Sequence, residues 1–254
     1  MNFQLPQLSG LLLVYFLVFA RVGAMVMLLP GIGDSGVPPR VRLGLALAIS
    51  FALTPALASF YPANIPNDTL GLGVLLIRET ICGIAIGSAA RIIMAALQVG
   101  GNLIATQTGL AFAQTVDPTQ HQAGAIVGNF FSLLGVTMIF VTDLHHLAIE
   151  AIQGSYRMLP PGGDLPAGDM AELAVRLVSG TFVLGLELAT PFLVFGFVVT
   201  ASIGLLARLM PQFQVFFVAM PINILAGFLL MMLLMGTLMT VFLNYYTAQL
   251  STFL

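Results

Sequence analysis

Gly204-Leu-Leu-Ala-Arg-Leu-Met-Pro-Gln-Phe213 is a short turn between two apolar blocks that fill the chain from about residue 173 to residue 254. Each block exceeds the roughly 20 apolar residues a helix needs to cross a hydrocarbon core. Two such blocks joined by a tight connection read as a membrane helical hairpin. The layout recurs in looser form toward the N-terminus, giving apolar segments at about 8–29, 41–60, 70–99, 123–148, 173–206 and 212–248. Leu and Met are abundant, and strict alternation is scarce, which favours helices over barrel strands. The predicted fold class is all-α, an integral membrane protein of about six long apolar segments.

Composition agrees. Of 254 residues, 59% are hydrophobic and only 7% charged, with a mean hydropathy of +1.03. Soluble domains carry about 25% charged residues, so most of this surface must face lipid or protein. Every cation is an arginine, and the net charge is −2 without basic runs. Nucleic-acid binding therefore has no electrostatic basis. Cys82, the single cysteine, lies in an apolar run and suits core packing. The first ten residues lack a positive n-region, and the first apolar run holds Arg21, so that segment is expected to be retained.

The segments are poor as independent spans. Arg21 interrupts the first, and Arg78, Glu79 and Arg91 flank a short uncharged stretch in the third. Glu187 and Pro191 lie in the fifth, Pro221 and Asn223 in the sixth. A charge at mid-bilayer costs at least about 2.5 kcal/mol on insertion scales. Several such costs in one chain predict that these faces meet protein or water within a larger assembly.

Pro30 to Pro39 and Leu159 to Gly168 form turn-rich corners. Gly100 to Gly124 is different, being long, rich in amides and hydroxyls, and punctuated by glycine. Irregular backbone at membrane depth requires burial in protein or an aqueous lumen. A pore-occluding loop and an ordinary surface loop both fit this composition.

Chemistry-bearing clusters are few. Asp143, His146 and Glu150 would share a helix face, as half a metal site or a proton relay, although a polar helix end at the interface explains them more simply. Met231, Met235 and Met239 form a stripe that reads as packing. No G-x-S-x-G, H-E-x-x-H or phosphate-loop motif is present, so catalysis, cofactors and resident metals are not expected. A proton-coupled secondary transporter using Glu187 or the Asp143–His146 cluster is the alternative reading. Such transporters usually carry internal repeats with broken helices in matching positions, and none is visible.

Four stretches in order carry a resemblance: Arg21 through Pro30, Pro38, Arg40, Leu43 and Pro55; Arg78-Glu79 with Gly83 and Gly87; Gly109 to Pro118, continuing through Asp143 to His146 and Ser155 to Pro160; and Gly204 to Phe216 with Pro221 and Gly227. This set resembles the FliR family of flagellar export-gate proteins, related to the SpaR/YscT components of virulence type III secretion. Gln214 departs mildly, since many relatives have asparagine there.

The resemblance implies a non-enzymatic gate subunit of the flagellar basal body in the bacterial inner membrane. Its implied partners are FliP-like and FliQ-like subunits, with FlhB-like and FlhA-like components around them and unfolded flagellar proteins as cargo. It further implies that about 1–172 is FliP-like and about 173–254 a FliQ-like helical pair. Residues of about 106–122 correspond to the family's channel plug, giving Thr106, Gln107, Gly109, Leu110, Phe112, Gln114, Asp117, Pro118, Gln120 and Gln122 a gating role, with Gly109 and Gly124 as hinges. Arg21, Arg78, Glu79, Arg91, Glu187 and Arg208 become candidates for polar contacts between subunits.

Overall fold

The computed structural model describes residues 5–62, 69–112, 125–163, 166–210, 212 and 215–253. Every regular element among them is helical: α1 (Leu5–Val26), α2 (Pro39–Leu57), α3 (Thr69–Gln107), α4 (Ala125–Val141), α5 (Leu144–Met158), α6 (Ala167–Leu209) and α7 (Val215–Leu250). Short 3-10 turns follow at Ala58–Phe60, Leu110–Phe112 and Ser251–Phe253. The all-α expectation holds. Among the described residues, four stretches are long and apolar enough to cross a membrane: Pro39–Phe60, Thr69–Gln107, Gly168–Leu209 and Val218–Phe253. The pair Ile126–Val141 and Leu144–Met158 makes a fifth when counted as one span, and Gly10–Val26 is a shorter apolar helix.

The expected segments differ from the observed helices in three places. The fourth segment is broken, its two helices meeting at 78°. Asp143 sits at the break in a left-handed conformation with φ 60°, which ends α4 and restarts the chain as α5. Secondly, α3 does not stop near residue 99. Gly100 and Gly101 read as punctuation but lie inside the helix, because they are contact points. An added Cβ at Gly101 would lie 2.5 Å from Gly128 Cα, and one at Gly100 would lie 3.1 Å from the Gly185 carbonyl. Thirdly, α3, α6 and α7 have 39, 43 and 36 residues. At 1.5 Å per residue α3 alone extends about 58 Å, nearly twice a hydrocarbon core of about 30 Å.

Contacts divide the chain into two compact units. The first comprises Met1–Ile93, Asp143–Leu177 and Tyr246–Leu254. Here α1 packs on α2, with Tyr15 set edge-on to Phe51. The corner between them is held by Arg42, whose Nε donates to the Val37 carbonyl at 3.0 Å and whose Nη1 donates to that of Gly33 at 3.2 Å. Helix α2 then opens with Pro39, whose missing N–H costs nothing in a first turn. Gly83 and Gly87, four apart on α3, bring the α1 backbone into contact. A Cβ at Gly87 would come within 2.9 Å of the Met25 carbonyl, and one at Gly83 within 2.9 Å of Ala24 Cβ. Small residues at this spacing are the usual device for close helix approach in membranes.

The second unit comprises Met94–Thr142 and Val178–Tyr245. Its core is α3 against α4 and α6, with Leu97, Ile104, Phe131, Leu188, Phe192 and Phe242 buried. Gln98 Nε2 donates to Asn129 Oδ1 at 3.1 Å and to Ser132 Oγ at 2.9 Å, a polar tie between α3 and α4. Met231 and Met239 are buried as packing residues, while Met232 is 81% exposed.

Gly87→Val is expected to force α1 from α3 at a cost of about 1–3 kcal/mol, as overpacking does. Gly73, with nothing within 4 Å of an added Cβ, is the control, and Gly73→Ala should stabilise by about 0.5–1 kcal/mol through helix propensity. Unfolding midpoints in detergent check both signs.

Candidate functional site

The expected gating residues divide at residue 112. Gln114, Asp117, Pro118, Gln120, Gln122 and the hinge glycine Gly124 lie outside the described residues. Thr106 and Gln107 form the last turn of α3 rather than a loop, with Thr106 exposed and its hydroxyl donating to the Asn102 carbonyl at 2.8 Å. The helix ends because Gly109 takes φ +79°, the left-handed conformation that commonly terminates helices. The 3-10 turn Leu110–Phe112 follows. A Cβ at position 109 would be strained whatever the space around it.

This root is enclosed. Thr108 is fully buried, and its hydroxyl donates to the Ile104 carbonyl at 2.9 Å within its own helix. On α7, Gly227 abuts it so closely that a Cβ there would lie 2.5 Å from Thr108 Cγ2 and 2.7 Å from its Cβ. On α6, Gly196 abuts the Gln107 side chain, a Cβ there lying 3.1 Å from Gln107 Cβ. Asn223 Nδ2 donates to the Gln107 carbonyl at 3.4 Å, one of the carbonyls that a helix end leaves without an internal partner. Asn223 Oδ1 is buried with no donor among the described residues. Gly196, Asn223 and Gly227 were legible only as a polar residue and two glycines in apolar runs. Their meeting with Gln107 and Thr108 spans more than eighty positions of sequence, which periodicity does not encode.

The charged residues behave in two ways. Arg21 is 1% and Glu79 1% exposed, and they pair within this chain, Arg21 Nε to Glu79 Oε2 at 2.6 Å and Nη2 to Oε1 at 3.2 Å. Arg21 also donates to Ser155 Oγ at 3.3 Å and to the Leu159 carbonyl at 2.9 Å. Its guanidinium lies 4.0 Å from the centre of the Tyr156 ring. The resemblance assigns Arg21 and Glu79 to contacts between subunits; in this chain the two bond one another. Burial, with Tyr156 nearby, raises the Tyr61 pKa far above the ordinary phenol value, so Tyr61 borders this cluster as a neutral group. Arg78 donates to the Gly163 carbonyl at 2.8 Å, tying the second corner to α3. Arg91, Glu187 and Arg208 are exposed and form no ion pair among the described residues.

Asp143, His145 and His146 bring their ligand atoms within 4.8 Å of one another, with the two imidazoles 4.1 Å apart. Asp143 lies before α5 rather than on it, so the predicted shared face with Glu150 is reduced to His146 and Glu150, both exposed. A cleft of about 450 Å³ in the first unit is lined largely by apolar groups of α3, α5 and α6. Its ionisable lining is Asp169, Glu172 and Arg176, the last two paired at 2.5 Å.

A family described as bacterial export proteins, family 1, matches residues 12–248. The chain belongs to that family, and with it to the membrane components of a protein export apparatus rather than to the enzymes. It is 42% identical to flagellar biosynthetic protein FliR of Caulobacter vibrioides over 237 residues, 93% of this chain and 94% of that one. It is 32% identical to FliR of Escherichia coli, covering 87% and 84% of the two chains. It is also 27% identical to Yop proteins translocation protein T of Yersinia pestis, covering 84% and 82%. The resemblance carried by the four stretches is thereby established, in both its flagellar and its virulence branches.

Removing one member of a buried ion pair costs about 3–5 kcal/mol, whereas replacing both by apolar groups is often neutral. Arg21→Met and Glu79→Leu singly are therefore expected to lower the detergent unfolding midpoint sharply, and the double variant less than either. Strictly additive losses would show that the pair is not coupled.

Proposed function

We propose that this chain is a core subunit of the flagellar type III export gate in the bacterial inner membrane, within the flagellar basal body. With FliP-like and FliQ-like subunits it would form the channel that unfolded flagellar proteins cross, with FlhB-like and FlhA-like components as further partners. Residues 1–172 would act as the FliP-like part and 173–254 as the FliQ-like helical pair. The family match over residues 12–248 carries this reading. Identity of 42% and 32% to the flagellar proteins of Caulobacter vibrioides and Escherichia coli, against 27% to the virulence relative, favours flagellar cargo.

The geometry supports an assembled rather than a solitary state. Helices about twice the hydrocarbon thickness leave long apolar faces beyond the bilayer. Phe182, Leu186, Phe197, Leu225, Leu229 and Met232 are all more than half exposed, and a patch of that kind marks an interaction surface or a lipid contact. Arg91 and Glu187 lie exposed on membrane-crossing helices, where a charge facing lipid costs at least about 2.5 kcal/mol. Oppositely charged or polar groups on neighbouring subunits would remove that cost, and Arg208 would serve the same purpose at the α6–α7 turn. Arg21, Glu79 and Arg78 already have partners within this chain, so the role falls chiefly to Arg91, Glu187 and Arg208.

Gating would be steric. In the closed state residues 106–122 would fill the lumen with mostly uncharged polar groups and a few apolar anchors, and in the open state the part of that segment beyond Gly109 would move aside for an extended polypeptide. Deleting residues 110–122 in the co-expressed complex is expected to raise ion leak across membrane vesicles while leaving the complex assembled. An assembled complex with unchanged leak would contradict the gating role.

A further inference from the structure

The last turn of α3 leads into the gating residues beyond Gly109, and at its end Thr108 is fully buried. Three independent contacts converge on consecutive residues. Gly196 of α6 admits the Gln107 side chain, Gly227 of α7 admits the Thr108 side chain, and Asn223 of α7 bonds the Gln107 carbonyl at 3.4 Å. Gly109 then turns the backbone at φ +79°, with Asn223 Nδ2 3.4 Å from where its Cβ would stand. Both glycines lie on helices whose other faces are apolar and exposed, and neither has a turn to make. Their positions are explained by the side chains that occupy them.

We infer that Gly196, Asn223 and Gly227 are positioning residues of the gate, forming a socket in which Gln107 and Thr108 are anchored. The inference rests on the gating role proposed for the residues that follow, and it adds that α6 and α7 set where that segment begins. A root fixed on two sides and ended by a left-handed glycine leaves the chain one direction in which to depart. The socket is then a fixed anchor, and the motion that opens the channel belongs beyond Gly109. This reverses the role expected of Gly109, which stops a helix here and serves as the boundary of the anchor rather than as a free hinge.

Size complementarity tests it. In the co-expressed complex, with assembly checked by mass, Gly227→Ala drives a methyl into Thr108. It is expected to raise vesicle ion leak about five-fold or more, equivalent to about 1 kcal/mol of destabilised closed state. Adding Thr108→Gly to Gly227→Ala removes both clashing carbons and should return the leak toward the wild-type level. Thr108→Ala, which only deletes atoms and leaves no orphaned polar group, guards against failure of the first variant to assemble, and it should also leak more than wild type. If deletion of residues 110–122 leaks while Gly227→Ala and Thr108→Ala both behave as wild type, the socket is overturned and the gate stands. If the deletion itself does not leak, the gating role falls, and the socket with it.

Discussion

A guanidinium carried on an apolar helix has to find its counter-charge and its remaining acceptors inside protein, and Arg21 of α1 meets that requirement completely. Glu79 takes two of its donors, Ser155 and the Leu159 carbonyl take others, and the Tyr156 ring covers its face. The partners come from two stretches of chain, Glu79 from α3 and Ser155, Tyr156 and Leu159 from the end of α5, so the pairing fixes α3 and α5 on α1 at once. Gly83 and Gly87 are the steric condition for that arrangement, since the pair closes only if the α1 and α3 backbones nearly touch. A buried pair of this kind contributes little net stability against an apolar substitute. Its effect is to specify which helices meet and in which register.

The second unit reaches the same end with uncharged groups. Glycine contacts at positions 100, 101, 128 and 185 bring α3 to α4 and α6, and Gln98 ties α3 to Asn129 and Ser132. Toward the end of α3 these contacts give way to the socket around Gln107 and Thr108. Packing without a strong hydrophobic drive between helices relies on close backbone approach and on polar ties, and each unit uses both. Arg91, Glu187 and Arg208, which form no ion pair among the described residues, and the apolar faces of α6 and α7 are, under the proposed function, the portion that a larger assembly would complete.

Fold class was legible because apolar run length and the scarcity of charge dominate any local detail. Helix ends were less so. Gly100 and Gly101 look like loop punctuation in a linear reading, yet glycine within a membrane helix marks contact as readily as it marks a turn, and only the partner at Gly128 or Gly185 decides. The break at Asp143 was hidden for the opposite reason, since a non-glycine residue in the left-handed region is uncommon and no glycine or proline lies beside Asp143 to mark a break. Arg21 and Glu79 were both visible as costly charges. Which protein group would neutralise them was not, because a pairing across 58 positions leaves no periodic trace. The small-residue spacing of Gly83 and Gly87 was the one available signal that α1 and α3 are neighbours.

The central claim is that this chain is built to be completed by other subunits, and the mass of the detergent-solubilised complex tests it most directly. Co-expressed with FliP-like and FliQ-like partners, the chain should be recovered as one copy in a large hetero-oligomer. A stable monomer or homo-oligomer that ignores those partners would contradict the account and return Glu187 and the Asp143–His146 cluster to consideration as a proton-coupling site.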